Sequence, residues 1–318
     1  MSDLKKIKGI SIQTFSSDPA NPATGDTWYN STTNTLKYYE PQVSAWTAGG
    51  AMAQARPGLA GAGASNTAAL GFGGDDWSCT ESYNGTSWTA GGPLGTARYD
   101  PAGAGTNTAA LAFGGYTYGP TNVSCTESYN GTSWTAGGGL GTARYALGGA
   151  GASNTAALAF GGLTTDIVAC TESYNGSTWT AGGAMATARF GLAGAGTNTA
   201  ALAFGGCNIT VNLACTESYN GTSWTAGGAL ATARRSLAGD GTNTAALAFG
   251  GLATVAVACT ESYNGTSWTS GGSMTTARYR LAGAGTNTAA LAFNGTIQNG
   301  SAVTCTESYN TTGGVCQL

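Results

Sequence analysis

The chain contains no histidine, and only 8% of its 318 residues are charged. Without imidazole there is no Ser–His–Asp or Cys–His relay, and the commonest transition-metal ligand is missing. Lysine is almost absent. Lys5, Lys6, Lys8 and Lys37 all lie near the N-terminus, and beyond them the only cationic side chain is arginine. A net charge of −3 leaves no broad basic field to hold nucleic acid or an anionic membrane. No apolar run approaches the roughly 18 residues of a membrane-spanning helix, so no membrane insertion is expected. The opening "MSDLKKIKGISIQTF" has no apolar core of the kind a secretion signal carries. The long helix formers are scarce. Glycine is abundant instead, at 53 residues, but without the three-residue period of collagen.

One phrase, "CTESYNGTSWTAGG", begins at Cys79 and recurs nearly unchanged. Cys79, Cys125, Cys170, Cys215, Cys259 and Cys305 each open a copy, at spacings of 46, 45, 45, 44 and 46. A period near 45 belongs to propellers or helical arrays. Helical arrays are excluded because the unit has no 3.6-residue apolar stripe and too much glycine. Each unit parses into four short strands: "LAGAG" after an arginine, "AALAF" closed by a Gly pair, "CTESY" and "SWTA". Asn84-Gly85 and its copies predict a two-residue type I′ hairpin between the last two strands. That register sets Glu81 opposite Trp88 and Cys79 opposite Ala90. Units starting at Arg56, Arg98, Arg144, Arg189, Arg234 and Arg278 predict an all-β, six-bladed β-propeller of four-stranded blades. A further outer-strand copy, with Trp46, precedes the first blade and is expected to zip onto the sixth.

The repeat resembles kelch repeats. The residues that carry the likeness are "ALAFGG", Tyr83 and its copies, Trp88 five residues later, and Arg98 about ten beyond, over roughly residues 36–316. The last blade departs from it, with Asn294-Gly295 for the Gly pair. The resemblance implies kelch-like blades. The kelch-fold oxidases need histidine for copper, and the "SxDxGxTW" box of sialidases does not occur here. No catalytic residue, cofactor or metal site is assigned, and the chain is not expected to be an enzyme.

Glu81 recurs in every blade, so its expected role is structural: an ion pair or hydrogen bond with the Arg98-type residue. The alternative is a ring of acidic sites. The singular Asp75, Asp76, Asp100, Asp166 and Asp240 read as solvated loop charges. The equivalent cysteines lie too far apart to bridge one another, and five of them read as small buried side chains, with Cys305 set apart. In the predicted register Cys316 falls opposite Cys305, a juxtaposition that admits either a disulfide or two reduced thiols. Variation is concentrated in "DDWS", "YTYGPTNVS", "LTTDIVA", "CNITVNLA", "LATVAVA" and "TIQNGSAVT", all between the second and third strands. These loops crowd one face, as in a binding surface, or have simply drifted. Asp76, Trp77, Tyr116 and Tyr118 are the candidate ligand contacts, the aromatics for stacking on sugar rings.

Residues 1–35 stand outside the repeat as an N-terminal arm, leaving 36–318 to the propeller. "NPATGDTWYNSTTNTLKYYEPQVSAWT" resembles a segment of bacteriophage tail-fibre and other virion proteins, through Gly25, Asp26, Trp28, Tyr29, Asn30 and Leu36 followed by Trp46. The resemblance implies a virion structural protein, assembled in the host cytoplasm and exposed outside it. Its arm would dock on other virion proteins and its propeller would meet host surface glycan. The alternatives are a purely structural spacer or cap, and a polysaccharide-degrading enzyme.

Overall fold

The computed structural model describes residues 6–7, 10–20, 22–119 and 121–317. The chain divides into two compact units: Ala45–Asn310, and Met1–Ser44 together with Thr311–Leu318.

Within 45–310, five sheets have four antiparallel strands in sequence order, and a sixth follows the same plan. In the first blade the strands are Ala60–Ser65, Ala68–Phe72, Thr80–Tyr83 and Trp88–Gly91. Short strands bounded by glycine leave each sheet with two apolar faces and too few residues to bury either alone. Neighbours solve this. Leu70 and Phe72 of blade one pack with Ala110, Ala112 and Tyr129 of blade two. Equivalent clusters fill every other interface, including the one that joins Leu291 and Phe293 of blade six to Leu59, Ala69 and Tyr83 of blade one. Six interfaces for six sheets make a closed ring, a six-bladed β-propeller.

The repeated Trp is the clamp of that ring. Trp134 lies against Tyr129 of its own blade and Phe72 of the preceding one, at 4.9 Å in both cases. Its indole N–H donates to Thr80 of the preceding blade at 2.9 Å. The same bond runs from Trp88 to Thr306, Trp179 to Thr126, Trp224 to Thr171 and Trp268 to Thr216. Trp46 supplies the sixth, donating to Thr260 at 2.9 Å. The 45–49 end of Thr35–Gly49 therefore lies beside 306–310 as the outer strand of blade six. Thr47 hydroxyl donates to the Ser308 carbonyl, and Met52 N–H to the Thr304 carbonyl. At the same seam Asn294, left-handed at φ 62°, replaces the first glycine of the pair. Its side chain accepts from the Arg56 N–H and donates to the Gln54 carbonyl, both at 2.9 Å.

Tyr83, not Glu81, lies opposite Trp88, and Glu81 faces Ala90. The hairpin loop is four residues long because the Asn84 side chain accepts from the N–H groups of Thr86 and Ser87. Only Gly85 of the Asn-Gly pair has positive φ, so the type I′ turn does not form. The Cys305–Cys316 pairing fails for a related reason. Thr306–Gln317 runs on as one strand with no reverse turn. Cys305 is a free thiol beside Arg278, and the Cys316 side chain lies outside the described residues. The repeated cysteines are half-buried rather than buried; Cys207 alone of the described thiols is fully buried.

The second unit has its own organisation. Gln13–Phe15 pairs in parallel with Thr27–Asn30, which pairs antiparallel with 35–38. Gly25 takes φ +86° at the turn before this hairpin, and the Asn30 side chain caps the hairpin's own turn by accepting from the N–H groups of Thr32 and Thr33. Asp18 anchors the unit. Its carboxylate accepts from Lys37 Nζ at 2.8 Å, Asn30 at 2.8 Å and the indole of buried Trp28 at 3.1 Å. The Lys37 bond, then those of Asn30 and Trp28, hold its pKa down at about 2.

Two measurements test these contacts. Trp46→Ala is expected to cost about 3 kcal/mol, read as a lowered denaturant midpoint. A depressed carboxylate stabilises above its unfolded pKa and loses that contribution as pH falls through the folded one. Acid titration of Trp28 fluorescence should therefore show a transition between 3.8 and about 2, absent in Asp18→Asn.

Candidate functional site

The six repeated arginines are fully buried, and each forms an ion pair with the glutamate of its own blade. The pairs are Arg56–Glu81, Arg98–Glu127, Arg144–Glu172, Arg189–Glu217, Arg234–Glu261 and Arg278–Glu307. Arg56 also donates to the carbonyls of Gly73 and Cys79. The second glutamate oxygen accepts from the interblade linker, as Glu217 does from Ala186 N–H at 2.7 Å. Burial pulls the Arg189 and Arg278 guanidinium pKa values below the usual range. With each glutamate sealed in and shared between its arginine and the linker, the glutamates present no ring of acidic ligand sites.

The linker continues from the arginine to the central channel, where sequence reasoning placed nothing. Two residues after each arginine stand Gly58, Asp100, Ala146, Gly191, Ser236 and Arg280. All six are left-handed, the four non-glycines at φ 48–52°. Each donates its N–H to the carbonyl of its counterpart in the preceding blade at 2.7–3.0 Å, and Gly58 donates to Arg280, so the circle closes. These residues line a cavity of about 100 Å³ at one mouth of the channel. Asp100 and Asp240 are thus not solvated loop charges. Burial pushes the Asp100 carboxyl up to about 6, with Arg280 opposing. Asp240 lines a second channel cavity of about 130 Å³.

The variable loops lie at the Asp100 end. The residue after each arginine from blade two onward bridges the start of its loop: Tyr99 to Tyr116, Tyr145 to Leu163, Phe190 to Cys207, Arg235 to Leu252, Tyr279 to Thr296. Of the candidate contacts, Trp77 is 42% and Tyr118 90% exposed. The structure joins Asp76 to Tyr118, whose N–H donates to the Asp76 carboxylate at 3.0 Å across the blade boundary. Tyr116 is set apart from them. It packs between Tyr99 at 5.3 Å and Tyr145 at 5.1 Å, a half-buried trio beside Asp100. Burial first, and Asp100 next, raise the Tyr99 hydroxyl pKa. Ile209, Val211 and Val255 are also exposed on these loops. Sequence reasoning singled out the loops but not these aliphatic residues, although apolar residues in otherwise polar loops were a usable signal.

The two channel carboxylates line separate cavities, so they do not flank one common bond as a glycosidase pair must. Among the described residues no three His, Cys, Asp or Glu side chains gather. The architecture is that of a repeat scaffold presenting one irregular face. No family model matches the sequence, and no curated protein matches it. Among solved structures the chain is similar to that described as "Structure of YjhT", with a TM-score of 0.70 over 84% of this chain and 99% of that one. At 12% identity the likeness is one of fold.

Replacing Glu217 by Gln would strand the Arg189 charge in a sealed interface. An unpaired buried charge of this kind costs about 3 kcal/mol or more. The check is the chemical-denaturation midpoint of Glu217→Gln against the parent.

Proposed function

We propose that the chain is a non-enzymatic binding module of a bacteriophage particle, of the tail-fibre or decoration type, built from kelch-like blades. Its variable face takes host surface glycan, and the segment before the propeller docks on other virion proteins. One observation carries this reading. Six near-identical blades hold six dissimilar loops on one face, and those loops expose Trp77 and Tyr118 to solvent. Exposed aromatics on a rigid scaffold offer flat apolar area at low entropic cost, which suits the faces of sugar rings. The N-terminal segment supports the virion setting. The residues that carry its resemblance build the Trp28–Asn30–Asp18 cluster and the turns around it.

The test is binding of the labelled full-length chain to bacterial cells with and without surface polysaccharide. Binding should saturate on the first and vanish on the second. Trp77→Ala and Tyr118→Ala should each weaken it about tenfold, roughly 1.4 kcal/mol, without shifting thermal stability. Equal binding to both cell types sinks the glycan reading; no binding to either supports the spacer or cap.

A further inference from the structure

The inner strands of the six blades are almost the same peptide: "AGAG" in four, "GGAG" in blade three and "AGDG" in blade five. Ala62, Ala104, Ala150, Ala195 and Ala284 occupy equivalent positions, each no more than 5% exposed. In blade five that position is Asp240, in "AGDG". A carboxylate in place of a buried methyl is costly unless something satisfies it.

Among the described residues nothing does. Asp240 Oδ2 is buried and has no hydrogen-bond partner. Its nearest strand neighbours are glycines; a Cβ on Gly283 would stand 2.6 Å from this oxygen. The six repeated arginines are each committed to a glutamate, and Arg280 lines the other cavity. Burial raises the carboxyl pKa well above its ordinary value.

The surroundings of Asp240 are oxygen-rich. An inner strand is paired on one side only, so along its free edge it turns unpaired backbone carbonyls towards the channel. Six such edges surround a cavity of about 130 Å³, which has room for an ion and a few waters at roughly 30 Å³ each. Carboxylate, carbonyl and water oxygens are the donors that hard cations prefer, and calcium accepts irregular sets of them.

We propose that the central channel binds a hard, oxygen-ligated cation at Asp240, calcium foremost. Asp240 is the one charged ligand, and the inner-strand carbonyls and water complete the shell. A single carboxylate sets a weak affinity, with Kd on the order of 0.1 mM. The ion would tie the free edges of blades five and six to their neighbours across the axis. This is a role in the scaffold, independent of what the loop face binds.

The experiment compares the full-length chain with Asp240→Ala. That variant restores the residue found in five other blades, so its folding is not in question. Both proteins are stripped with chelator and followed by calorimetric titration and thermal unfolding in about 10 mM calcium, with magnesium and matched-ionic-strength sodium arms. The parent should bind calcium at about one site per chain and rise by about 5 °C, while Asp240→Ala does neither. A sodium response lost in Asp240→Ala supports the site with a monovalent occupant. No response of the parent to any of the three ions overturns the proposal, as does an equal response of the variant.

Discussion

Six guanidinium–carboxylate pairs, sealed between blades, fix the path of the chain from each blade to the next. The glutamate of a blade accepts from a linker N–H with one oxygen and pairs with the arginine through the other. The arginine then ties that linker to the Gly pair and the third strand, while its own backbone carbonyl accepts from the preceding blade, as Arg98 does from Gly74. The channel circle and the loop anchors both sit within two residues of the arginine. The position of each follows from a charge that water cannot reach and that only one partner satisfies.

Near-identical blades create a difficulty of their own, because any blade face fits any other. What distinguishes the ends is local. Trp46 repeats the clamp made by every other blade, but from the N-terminal side of the ring. Asn294 adds side-chain bonds to Arg56 and Gln54 across the same seam, where the other blades have glycine. The seam thus carries contacts that no other interface has. It joins residues more than 200 positions apart, so closure comes at a high cost in chain entropy that the buried Trp46 and its neighbours must offset.

Uniformity in the scaffold and irregularity on one face are two sides of one arrangement. Positions that touch a neighbouring blade are held by that neighbour's shape, and substitutions there leave cavities or stranded charges. Loop residues such as Tyr118 and Ile209 meet mainly solvent and are free to differ. The channel circle lies between these cases. Its backbone bonds are the same in all six blades, yet its side chains are Gly, Asp, Ala, Gly, Ser and Arg. Four non-glycine residues accept a left-handed backbone there at a cost of about 1 kcal/mol or more each, because the circle of hydrogen bonds demands that conformation whatever the side chain.

The period of 45 residues, the four-strand parse and the register of Trp46 with the other outer strands are local patterns, and they survive intact because every blade but the sixth, which takes its outer strand from 45–49, is made of contiguous chain. The hairpin register was misread for a local reason as well: the Asn84 side chain competes with the backbone for its own turn. Asp100 and Asp240 were illegible for a different one. A lone acid in a glycine-rich stretch looks like a surface charge until six inner strands are brought round an axis. By itself the sequence determined the unit, the number of units and the residues that hold them together, since these depend on spacing along one strand pair. Only the closed tertiary ring decided which acids line the channel, which tyrosines gather and which aromatics stand free. Each of those depends on a neighbouring blade whose contact lies far away along the chain.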